Sequence, residues 1–154
     1  MIIKRVNSSE ANLAFDALSN IKLRDDTNTR NGLSLEYVEN FLSNEKHYLF
    51  VAIENKQVVG FLLAYRLQRI DRNQDAMFFY EIEVDESFRN RGVGSALIEH
   101  LKEEYRKENI MKMWVETNRS NLPAMKLYGK TGGIANTCED EVSFTYYPPF
   151  KECP

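Results

Sequence analysis

The stretch YEIEVDESFRNRGVGSALIEHL, residues 80–101, decides how the rest of the chain is read. Its first five residues alternate with the period of a strand, placing Tyr80, Ile82 and Val84 on one face and Glu81 and Glu83 on the other. A short polar turn leads into Arg89-Asn90-Arg91-Gly92-Val93-Gly94. From Val93 onward, Ala96, Leu97, Leu101 and Tyr105 recur at helical spacing. Glu99, Lys102, Glu103, Arg106 and Lys107 take the opposite face, with Glu103 and Lys107 spaced for an i,i+4 pair. A strand therefore gives way to a helix through an elbow of glycine and arginine. The first turn of a helix has unpaired N–H groups and a partial positive charge, so such an elbow attracts phosphate. Glycine at 92 and 94 removes Cβ atoms that would hold a diphosphate off the backbone and permits unusual φ angles. The two arginines add charge-assisted bonds. The spacing lacks the third glycine of the dinucleotide fingerprint and the Lys-Ser/Thr pair of a P-loop.

Working outward, residues 2–6 (IIKRV) read as a first strand. Ser8 or Ser9 then caps a helix whose apolar face is Leu13, Phe15, Ala17, Leu18 and Ile21. Residues 24–33 are polar and contain an Asn-Gly turn pair, which predicts a loop. Ser34 caps a short second helix carrying Tyr37, Val38, Phe41 and Leu42. This region either walls a cleft or simply packs. Residues 48–53 and 57–67 form a hairpin around Glu54-Asn55-Lys56, and 76–84 is a third long strand. KMWVET, 112–117, is a fifth strand, and 121–130 a last helix with Pro123 in its first turn, stopped by Gly132-Gly133. EVSFTYY, 141–147, closes as a final strand. The order β-α-α-β-β-β-α-β-α-β predicts an α+β fold, a single mixed central sheet with flanking helices, in one domain spanning 1–154.

Bulk properties narrow the function. The 43% hydrophobic and 28% charged fractions are those of an ordinary globular chain. A formal charge of −3 argues against a nucleic-acid or anionic-membrane surface and suits a cationic partner. Cys138 and Cys153 have neither metal-ligand nor disulfide-framework spacing, so no metal is expected and a reducing cytoplasm is the expected compartment. No signal peptide or membrane-spanning run is expected either.

Arg89-x-x-Gly92-x-Gly94 after a strand ending Ile-Glu-Val resembles the acyl-CoA-binding signature of the GNAT family of N-acetyltransferases. Asn121-x-x-Ala124-x-x-x-Tyr128, with glycine at 132, resembles that family's second motif. With the hairpin before them, these features cover about residues 48–146. The resemblance implies an acyl-CoA N-acyltransferase fold split between strands 4 and 5, where a pantetheine arm inserts. Backbone groups of Ile82 and Val84 would then pair with the pantetheine amides. The amides from Arg91 through Val93 and Gly94 to Ser95 would cradle the diphosphate, with Arg89, Gly92 and Asn121 completing the coenzyme site. Acetyl-CoA is the implied co-substrate.

Acetyl transfer to an amine needs a base for the ammonium proton, stabilisation of the tetrahedral oxyanion and an acid for the departing thiolate. Tyr128 stands at the position where the family places its acid; its alternative role is a core aromatic beside Leu127. Glu81 or Glu83 would serve as base, directly or through water, with Glu81 preferred; the alternative is a solvated strand face. Glu81, and Glu116 at the end of the fifth strand, would orient the ammonium. His47 and His100 fall in neither motif and read as surface residues. Within the family the layout is similar to aminoglycoside 3-N-acetyltransferases, which implies a small amine-rich acceptor. The acidic run Glu139-Asp140-Glu141 either steers that polycation or is a wet turn. A protein or peptide N-acetyltransferase and a non-catalytic acyl-CoA-binding module are the competing readings. A homodimer is the expected assembly.

Overall fold

The structure, a computed structural model, describes residues 1–21, 32–108 and 110–135. The expected final strand, the run 139–141, both cysteines and most of the loop 24–33 lie outside them. Within the described residues the elements are β1 (Ile2–Arg5), α1 (Ala11–Asn20), α2 (Leu35–Leu42), β2 (His47–Glu54), β3 (Gln57–Leu67), β4 (Asp75–Val84), α3 (Val93–Lys107), β5 (Ile110–Trp114) and α4 (Leu122–Lys130). Their order is the one the sequence predicts.

The strands lie side by side in chain order, antiparallel up to β4 and then parallel for β4 and β5. That makes the sheet mixed, because the α3 crossover returns the chain in the same direction. Side chains alternate between two packed faces. Tyr48, Phe50 and Ala52 of β2 meet Val93, Leu97 and Leu101 of α3, while Leu49 and Val51 meet Ala14, Ala17 and Val38 of α1 and α2. Burial on both sides is why β2 reads as a continuous apolar run. The hairpin turn is Asn55-Lys56, with φ of 50° and 66°, so Glu54 belongs to the strand. Positive φ at both turn residues matches the twist of the flanking strands.

Several local expectations are corrected. Asn7, not Ser8 or Ser9, supplies the first cap: it accepts from the Ser9 amide and opens a 3-10 turn at Ser8–Glu10 before α1. The buried stripe of α1 is then Ala11, Ala14 and Ala17, with Leu13, Phe15 and Leu18 only half-buried. Ser34 does cap α2, accepting from the Tyr37 amide, but Tyr37 itself points into water. In α3, Lys107 bonds Glu104 at 2.7 Å rather than Glu103. His47 stacks on Phe41 at 4.3 Å, and both it and His100 are half-buried rather than surface residues.

The main departure is in β4. Leu63 lies opposite Glu81 and Ala64 opposite Phe79, so Tyr80 is an extra, bulged residue. Its ring contacts Tyr65 and Phe78, on the α1/α2 side, which is also the side of Glu81 and Glu83 opposite Leu63 and Phe61. Ile82 and Val84 pack toward α3. Strict alternation puts Tyr80 with Ile82; the bulge reverses the parity.

Candidate active site

The ladder between β4 and β5 ends at Phe78–Trp114, yet β4 runs on to Val84. Among the described residues, no strand pairs with that last part of β4 on its β5 side. Residues of an antiparallel strand turn their backbone groups alternately to either neighbour. The Asp85 amide donates to Val59 of β3 at 3.0 Å, so Ile82 and Val84 turn theirs toward the open side. The Val84 carbonyl already accepts from Arg89 Nε at 3.0 Å. Arg89 therefore clips the strand end to the elbow, and Ile82 is left with the freer edge.

The elbow starts with a 3-10 turn, Glu86–Phe88, whose Asp85 cap accepts from the Ser87 amide at 2.9 Å. Asn90 and Gly92 take left-handed φ values of 60° and 88°. Gly92 offers α3 no capping side chain, and no acid occupies the first helical turn. That leaves the leading amides available to an external anion. The two glycines do different work. A Cβ at Gly92 would meet nothing within 4 Å, whereas one at Gly94 would come within 3.1 Å of Leu127 Cδ2. Gly94 thus also serves the close approach of α4 to α3, a duty the sequence reading did not assign it. Arg91 pairs with Glu54 at 3.0 Å and lies 4.8 Å over the Phe88 ring.

Across the opening, the Asn121 side chain caps α4 through the Ala124 amide, with Pro123 in the first turn. The helix ends in a Schellman turn: Gly132 is left-handed, and the Gly133 amide donates to the Tyr128 carbonyl at 2.8 Å. Tyr128 is thereby held at both ends, its ring edge-on to Phe79 at 5.7 Å. Burial, and then the nearby Glu83 charge, raise the hydroxyl's pKa above the usual tyrosine value. Both effects favour the protonated phenol.

These elements enclose a cleft of about 500 Å³. It brings together Ile82, Glu83, Val84, Arg89, Gly92, Val93, Gly94, Ser95, Asn121 and Tyr128 from the sequence-predicted set. Glu81, Arg91 and Glu116 do not line it. Glu81 sits on the α1/α2 side of β4, and Glu116 lies exposed beyond the end of β5 rather than closing that strand. The strand stops at Trp114 because its partner ladder stops there. The cleft also includes Lys126 and Lys130, which sequence reasoning passed over. Their i,i+4 spacing on α4 was the available signal. Among the described residues, no group of His, Cys, Asp or Glu could hold a metal, and no helix is long and apolar enough to cross a membrane.

Comparison with known proteins agrees with this geometry. The family model described as "Acetyltransferase (GNAT) family" matches residues 15–133. The chain is 30% identical over 110 residues to the ribosomal protein bS18-alanine N-acetyltransferase of Escherichia coli strain K12, covering 70% of this chain and 68% of that one. Its fold is similar to an aminoglycoside acetyltransferase from an uncultured soil metagenomic sample, with TM-score 0.78, 25% identity and coverage of 94% and 98% of the two chains. A ribosomal-protein-alanine N-acetyltransferase from Brucella melitensis biovar Abortus 2308 also shares the fold, with TM-score 0.69, 21% identity and coverage of 95% and 98%. The chain belongs to the GNAT family of N-acetyltransferases, whose members generally use acetyl-CoA.

Proposed function

We propose that this protein moves the acetyl group of acetyl-CoA to a primary amine of a small, amine-rich acceptor, with an aminoglycoside as the first candidate. One observation carries the reading: an open β4 edge meets the uncapped start of α3, and a half-buried tyrosine faces both across one cleft. An extended amide-bearing chain suits the edge, and a diphosphate suits the amides of Val93, Gly94 and Ser95. Arg89, Lys126 and Lys130 add positive charge around the same opening.

In this reading Glu81, on the acceptor side, or Glu83, bordering the cleft, takes the ammonium proton directly or through water. The freed amine attacks the thioester carbonyl, and the tetrahedral intermediate collapses with loss of the thiolate. Tyr128 donates its proton to that sulfur and is later reprotonated from solvent. The acid supplies a modest share, because a thiol leaves readily.

The aminoglycoside candidate is supported by the soil metagenomic neighbour at 25% identity. A second reading, transfer to the terminal amine of a protein, is supported by the 30% identical relative, named for a ribosomal-protein alanine. Thiol release from acetyl-CoA would be followed across aminoglycosides, polyamines and alanine-ended peptides, with mass spectrometry of the products. Release with aminoglycosides alone upholds the first reading and release with peptides alone the second. Acetyl-CoA binding with no release from any amine would leave only a binding module.

A further inference from the structure

The α1/α2 side of the sheet carries a row of rings that the mechanism above does not use. Phe41 stacks on His47 at 4.3 Å, His47 meets Tyr65 at 5.2 Å, and Tyr65 meets Tyr80 at 5.6 Å. From Tyr80 the row continues to Phe78 at 5.7 Å and Trp114 at 5.2 Å. Five of these six rings are half-buried. Tyr80 is the exception, at 56% exposed, because the bulge pushes it out of the strand.

The bulge also places Tyr80 and Glu81, consecutive residues, on one side of the sheet. Helix α2 packs on this side through Val38 and Leu42, and its Tyr37 is 68% exposed. Burial comes first in raising the Tyr65 pKa, followed by the electrostatic influence of Tyr80, Tyr37 and Glu81. At the far end of the row, Lys112 Nζ lies 5.2 Å from the Trp114 centroid, so these rings already hold one cation. An exposed electron-rich ring beside a carboxylate is the chemistry that recognises an alkylammonium ion.

We infer that Tyr80, with Tyr65 beside it and Glu81 next in the strand, forms the subsite that holds the acceptor's ammonium group by cation–π contact before it loses its proton. The inference rests on the acetyltransferase reading for its biological meaning, but the ring cluster makes it testable without turnover. Tyr80 supplies a ring face rather than a proton, so its hydroxyl is dispensable here. The ligand class is an alkylammonium, and a neutral molecule of the same shape is excluded.

The probe is tetramethylammonium, which cannot be acetylated, set against its neutral isostere tert-butyl alcohol. Binding to the full chain is followed by tyrosine chemical shifts, and inhibition is measured against whichever amine of the panel turns over. Tetramethylammonium is expected to bind and to compete with the amine but not with acetyl-CoA, while tert-butyl alcohol does neither. Tyr80→Phe should preserve this, and Tyr80→Leu should weaken binding and raise the amine KM about three- to thirty-fold. The acetyl-CoA KM should stay unchanged in both. An unaltered affinity in folded Tyr80→Leu, or equal binding of the neutral isostere, overturns the subsite and leaves acetyl transfer standing. Tetramethylammonium binding that depends on Tyr80, with no thiol released from any amine, upholds the subsite and overturns the transferase reading.

Discussion

The Tyr128 hydroxyl loses solvation where its helix settles against Phe79, and the Glu83 charge opposes a phenolate there. A phenol whose pKa is raised keeps its proton through the ordinary tyrosine range and surrenders it only as pH rises through the raised value. Turnover that uses Tyr128 as acid should therefore fall on the alkaline side later than a free tyrosine would allow. Tyr128→Phe should lower kcat about ten- to hundred-fold while calorimetry finds acetyl-CoA affinity little changed. An unaltered rate would remove the acid role. At Gly92 the φ of 88° is open to glycine, and a side chain there would enter free space. Gly92→Glu adds backbone strain of about 1–2 kcal/mol and a negative charge at the anion site. Acetyl-CoA binding by calorimetry should be lost, and circular dichroism should still report a folded chain. Both residues were legible in the sequence through motif spacing. The separate duty of Gly94 was not, because it depends on how closely Leu127 approaches from a helix some thirty positions later.

Helix α3 joins the sheet to the elbow, and its fully buried Leu97 and Leu101 fix the position of its first turn. Leu97→Ala should destabilise the fold by about 2–5 kcal/mol in denaturant unfolding, since it empties space that close-packed neighbours cannot fill. The turn before α3 has its own acid dependence. Asp85 accepts from both the amide and the hydroxyl of Ser87, and these bonds hold its carboxyl below the usual carboxylate range. A depressed pKa contributes stability above the unfolded value and loses it as pH falls through the folded one. The difference in melting temperature between wild type and Asp85→Asn should be present at neutral pH and shrink on acidification. A constant gap would refute the coupling. Element type and order were readable because apolar period and turn residues are local signals. The bulge at Tyr80 was not, because register is set by the partner strand and both parities present plausible faces.

For the whole molecule, the sequence pointed to the split sheet through two motifs that a single crossover brings together. What it left open is the α1/α2 side of the sheet. There the ring row is assembled from α2, β2, β3, β4 and β5, and no local pattern announces a surface drawn from five elements. The Arg91–Glu54 contact has a reach of its own. It moors the elbow to the end of β2, next to the Asn55-Lys56 turn, with the guanidinium about half in water. Neutralising either partner should detach that turn from the elbow while leaving in place every side chain that lines the cleft, since neither Arg91 nor Glu54 is among them.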